Sequence, residues 1–189
     1  VMHTEPHDPN GQDLLAIMEN LGLNNGEVLI STQKMPPRDL ASIYSAVDCT
    51  INISDAEGFG LATLESLASE TPIIVNMTGG LQEQVTDGEN WFGFGIEPSS
   101  KAIIGSQDVP YIYEDRICGK EFVEKLLEFY NLSKEEREKM GALGRKHVMD
   151  NYGFSKYSGQ WYQAFDQLFE TCGSWETRKN YKSWSLTRI

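Results

Sequence analysis

Apolar residues fall at positions 14, 15, 17, 18 and 21, the spacing of an amphipathic helix, and predict a helix over Leu14–Leu21 that Gly22 can end. Beyond it the pattern changes kind. Val28, Leu29 and Ile30 form an apolar run too short for a helix, which reads as a buried strand. The two patterns then alternate. A helix is predicted over 39–46, just behind Pro36 and Pro37, and a strand over 49–53. A helix over 61–69, a strand over 72–75, a short helix over 81–85 and one more strand over 92–96 follow. Short, continuously apolar strands between helices imply a parallel sheet covered on both faces. Right-handed crossovers make this an α/β fold, a Rossmann-like doubly wound parallel sheet. Ligands of such sheets sit beyond the carboxyl ends of the strands, so function is sought in the loops there.

The last third reads differently. Residues 97–118 lack helical periodicity and suggest an excursion or a short hairpin. C-terminal helices are predicted over 121–130, 134–149 and 155–169. Ser133 with Glu136 three positions on is a capping box opening the second of these. The expected organisation is one domain over 1–172 and a tail over 173–189. The tail carries Trp175, Tyr181, Trp184 and several basic residues, aromatics that ordinary packing would explain. Val1–Thr4 reads like the end of a strand, so the chain is expected to be a domain of a longer protein with its start truncated.

Charge and cysteines narrow the chemistry. A formal net charge of −12 argues against a general nucleic-acid binder and against attraction to anionic membranes. It leaves a small phosphate ligand open, because backbone N–H groups bind one without a basic patch. No apolar run approaches the ~18 residues of a membrane span. Cys49, Cys118 and Cys172 show no metal spacing and read as reduced thiols of a cytoplasmic protein. His3, His7 and Asp8 fit no standard metal motif.

The informative stretch is Ser54–Ala68, which follows a strand and opens a helix. Gly58 and Gly60 let the backbone bend and approach a ligand closely. The first helical turn leaves N–H groups unpaired and partly positive, a place for a phosphate or diphosphate. Glu57 lies in the loop and Glu65 in the helix. A carboxylate only accepts, and one carboxylate serves two neighbouring hydroxyls. Because carboxylates repel a diphosphate, these two should flank it and face sugar or ribose hydroxyls.

This segment resembles the Glu-x7-Glu signature of the family-four (group 1) GT-B glycosyltransferases. The resemblance extends to Leu40–Asp48 before it, Glu70–Val75 and Thr78–Val85 after it, and the turn Asp87–Asn90. It covers about residues 10–170, nearly all of a carboxy-terminal donor domain. The resemblance implies one half of a GT-B fold, binding a nucleoside-diphosphate sugar in a cleft against an amino-terminal acceptor domain. It implies transfer of a hexose with retention, without bound metal or cofactor. It places Glu57, as the catalytic residue, near the transferred sugar and Glu65 on the ribose hydroxyls. The backbone of Gly58, Phe59, Gly60 and Leu61 would hold sugar and diphosphate, Gly79 and Gly80 would line the donor, and Lys34 would lie by the base.

The chain also departs from the family pattern. The Arg and Lys that grip the diphosphate are not recognisable near the start, and His3–Pro9 stands where the family usually has glycine. The fragment alone is therefore expected to bind nucleotide weakly and transfer nothing. Two other functions stay open: half of a GT-B sugar epimerase, and a non-catalytic module for nucleotide sugars or a protein partner.

Overall fold

The computed structural model describes residues 1–9, 11–180 and 187, and the chain divides into two compact units, residues 1–40 and 41–189. In the first unit β1 (Met2–His3) pairs in parallel with β2 (Ile30–Ser31). Between them runs α1 (Leu14–Leu21), capped by Asp13, whose carboxylate accepts from Ala16 N–H, and closed by Gly22. The strand lies slightly later than the apolar run, because pairing with β1 starts only where Leu29 O accepts from Met2 N–H. Helix α2 (Pro37–Ser45) starts two residues earlier than its apolar spacing indicates. Proline is favoured at the first helical position, where its missing N–H costs nothing.

The second unit is an α/β, Rossmann-like arrangement around a parallel sheet. Its strands β3 (Thr50–Asn52), β4 (Ile73–Asn76) and β5 (Gly93–Ile96) pair in chain order. Central β4 is wholly buried. Successive side chains of a strand face opposite sides. Ile73 and Val75 accordingly join Leu67, Leu81, Val85, Phe92 and Val148, while Ile74 joins Ile96 and Phe129. Each such side chain stabilises the fold by roughly 1.5–3 kcal/mol through burial. The first cluster is covered by α3 (Leu61–Ala68), α4 (Leu81–Val85) and α6 (Lys134–Asn151), the second by α5 (Gly119–Tyr130).

Helix α6 begins in the expected capping box, with the Ser133 hydroxyl and Glu136 carboxylate bonding each other's N–H. It lies close on the end of α3, where Arg145 donates to Ala68 O at 2.7 Å. Helix α7 (Phe154–Cys172) carries an exposed row of ring contacts, Phe154, Tyr157, Trp161 and Phe165. In the tail Arg178 stacks 3.8 Å over Trp175, while Tyr181 and Trp184 lie outside the described residues. Among the described residues, no helix is long and apolar enough to cross a membrane.

The stretch 97–118 is an antiparallel hairpin, β6 (Ser100–Ile104) against β7 (Ile112–Arg116). It is anchored to the loops that follow β3 and β4, where the candidate site lies.

Candidate functional site

The loop 53–60 leaves the carboxyl end of β3 and turns into α3. The turn is made at Gly60, whose φ of +87° lies in the left-handed region. Gly60 is also packed tight, since a Cβ there would come within 2.7 Å of both Leu81 and Thr63. A side chain is thus excluded twice, by conformation and by contact. Gly58 differs: it has open space beside it and no left-handed φ. What its missing side chain provides is bare, exposed backbone.

Pairing in α3 starts with Leu64 N–H donating to Gly60 O at 3.1 Å. The N–H groups of Leu61, Ala62 and Thr63 therefore have no intrahelical acceptor. They carry the positive end of the helix dipole at the mouth of the loop. Phe59 and Leu61 are exposed there, at 44% and 68%.

Glu57 and Glu65 differ in setting. Glu57 is partly buried, and its carboxylate accepts from Gly60 N–H at 3.1 Å and from Asn52 Nδ2 at 3.3 Å. It braces the turn, and the Gly60 N–H expected to face a donor is bonded to it instead. Two oxygens offer about four lone-pair sites, so acceptor capacity remains. Glu65 is exposed one turn into α3, and its Oε2 accepts from the Tyr44 hydroxyl at 3.0 Å. Burial, then the bond to Glu65 and its charge, push the Tyr44 phenol up to about 12.

The loop after β4 packs directly behind this turn. Gly79 has φ +49°, and a Cβ on it would lie 1.7 Å from Glu57 O. A Cβ on Gly80 would lie 2.6 Å from Phe59 O, and Gly80 N–H donates to Glu57 O at 3.3 Å. The glycine pair thus sits under the Glu57 turn because only bare backbone fits between the loops. Buried Gln84 completes the joint from α4: its Nε2 donates to Phe59 O, and its Oε1 lies 2.6 Å from the Thr63 hydroxyl.

The hairpin holds the other side. Asp115 N–H donates to Asp55 O at 2.7 Å, and the Thr78 hydroxyl donates to Asp115 Oδ2 at 2.8 Å. Buried Asn76, at the end of β4, donates to Ser54 O and Asp115 O, each at 2.9 Å. Arg116 pairs with Asp55 at 2.8 Å.

The structure thus brings together Glu57, Gly58, Phe59, Gly60, Leu61, Gly79 and Gly80, with Glu65 one turn away. Lys34 is exposed in the loop between β2 and α2, in the other unit. Sequence reasoning did not single out Asn52, Asn76, Gln84 or Asp115. A polar residue closing an apolar strand run is a usable signal for Asn52 and Asn76. Gln84 and Asp115 show none, because they bond Phe59 O, 25 positions back, and Asn76, 39 positions back along the chain.

The model of the family described as "Glycosyl transferases group 1" matches residues 10–106. A D-inositol 3-phosphate glycosyltransferase of Acidothermus cellulolyticus is 39% identical over 87 residues, which are 46% of this chain and 18% of that protein. The chain thus spans about a fifth of the length of that curated relative. Among solved structures, sucrose-phosphate synthase from Thermosynechococcus elongatus is similar in fold, with a TM-score of 0.65 at 22% identity, over 86% of this chain and 37% of that one. The C-terminal domain of a glycosyl transferase group 1 family protein from Francisella tularensis matches with a TM-score of 0.53 at 24% identity, over 75% of this chain and 62% of that one.

Proposed function

Since the chain belongs to the group 1 glycosyl transferases, we propose that it is the donor-binding domain of a retaining enzyme that moves a hexose from a nucleoside-diphosphate sugar to an acceptor. One observation carries this reading. The Gly60 turn presents first-turn N–H groups at the carboxyl edge of the sheet, with the Glu57 carboxylate behind the turn and the Glu65 carboxylate beyond it. The exposed N–H groups of Leu61 and Ala62 hold the diphosphate, and the bare backbone of Gly58 lets the sugar come close. Glu65 accepts from the ribose hydroxyls, and Glu57 stands by the transferred sugar. Stabilisation of the departing diphosphate is electrostatic, supplied by the helix end and by basic groups of the longer protein, without a metal. The acceptor is held by a companion amino-terminal domain, and the reaction runs in the cytoplasm.

Calorimetric titration of the chain with UDP, GDP and ADP tests this. Weak binding of one of them is expected, and Glu65→Ala should weaken it further by removing the ribose contact. Failure of all three to bind, or a variant that binds as well as the parent, refutes the reading.

A further inference from the structure

Tyr44 stands apart from the residues assigned so far. It lies near the end of α2, its ring is half-buried, and its hydroxyl reaches Glu65 Oε2 at 3.0 Å. Its backbone is fixed too: the Thr71 hydroxyl donates to Tyr44 O at 2.7 Å, tying the end of α2 to the start of β4. The Glu65 backbone is fixed from the other side, where Ser69 N–H and hydroxyl both bond Glu65 O, at 3.1 and 2.9 Å. An exposed glutamate on a helix otherwise samples several rotamers, and ordering it on binding costs affinity.

We propose that Tyr44 is a positioning residue that pre-sets the Glu65 carboxylate to accept from the vicinal hydroxyls of a ribose, so that ribose recognition depends on the phenol although the phenol does not touch the ligand. This rests on the Glu65 role given above. The bond takes one lone pair of Oε2 and leaves Oε1 and the second lone pair of Oε2 for a hydroxyl pair. The phenol suits the task because it stays a proton donor through the whole working pH range, its ionisation being pushed up to about 12. A lysine or arginine in its place would add a positive charge that competes for the same carboxylate.

The test compares the ribonucleoside diphosphate that binds best among UDP, GDP and ADP with its 2′,3′-dideoxy counterpart, on the parent chain, Y44F, E65A and the double variant. Phenylalanine keeps the ring, so urea unfolding should show Y44F as cooperative as the parent. The parent should prefer the ribonucleotide. Y44F should weaken the ribonucleotide about two- to tenfold, the cost of ordering one free side chain, and leave the dideoxynucleotide unchanged. In the E65A background it should have no further effect. If Y44F weakens both ligands equally, or neither, while E65A still removes the preference, the positioning role is overturned and the Glu65 role stands. If E65A keeps the ribose preference, the Glu65 role fails and this inference falls with it.

Discussion

Substituting Gly79 by alanine should cost far more stability than the same change at Gly58, although the two lie in adjoining loops of one site. At Gly79 two penalties add. The φ of +49° is left-handed, which costs a residue with a Cβ about 1–2 kcal/mol. The new Cβ would also stand 1.7 Å from Glu57 O, whereas carbon and carbonyl oxygen rest no closer than about 3.3 Å. The loops must part by roughly 1.6 Å, and overpacking of that kind costs ~1–3 kcal/mol. The sum is about 2–5 kcal/mol, a large part of the 5–15 kcal/mol of a typical domain. At Gly58 neither penalty exists, and alanine should be neutral or stabilise by about 0.4–1 kcal/mol through the unfolded chain. Urea unfolding followed by circular dichroism reads both, the midpoint falling for G79A with an unchanged slope. Nucleotide titration adds the functional half: under the proposed function, G58A should weaken UDP, GDP or ADP binding at full stability, because its methyl group would stand in the open space left for the sugar. A G79A chain as stable as the parent would mean that the loops after β3 and β4 do not touch, and the site as described would be wrong.

Replacing Gln84 by leucine should destabilise by about 1–3 kcal/mol in the same urea assay, since it strips Phe59 O of its buried donor; no loss would show that the joint between α4 and the Glu57 turn is not bonded as described. The backbone N–H of Asn90, then its side chain and Glu89 N–H, hold the Asp87 carboxyl down from its ordinary 3.8 to about 2. A carboxyl depressed in the folded state contributes stability that is full above 3.8 and lost as pH falls towards 2. Plotted against pH, the difference in urea midpoint between the parent and Asp87→Asn should stay level above about pH 4 and shift against the parent below it. A difference that keeps one value down to pH 2 would rule out that hold on the carboxylate.

The order and kind of elements over 41–96 and 119–172 were determined by sequence alone. Apolar runs such as Ile73–Val75 cannot sit half-exposed, so they dictate a strand buried on both faces, and the helical spacing between them dictates the cover. The same holds for local chemistry: the Ser133 and Glu136 cap and the Gly60 bend act over three or four residues, within reach of a pattern. The Glu57–Glu65 segment was found because glycines and acids at that spacing, between strand and helix, resemble a known signature. Tertiary structure decided how that segment is held. That Glu57 turns inward on Gly60 and Asn52, that Gly79 and Gly80 are there to let two loops touch, and that Tyr44 reaches Glu65 depend on where separate loops meet. Such contacts leave no periodicity, since each joins residues that are neighbours only after the sheet has formed. The hairpin shows the same limit: residues 97–118 reveal their lack of helix, but only pairing in space turns Asp115 into the link between the ends of β3 and β4.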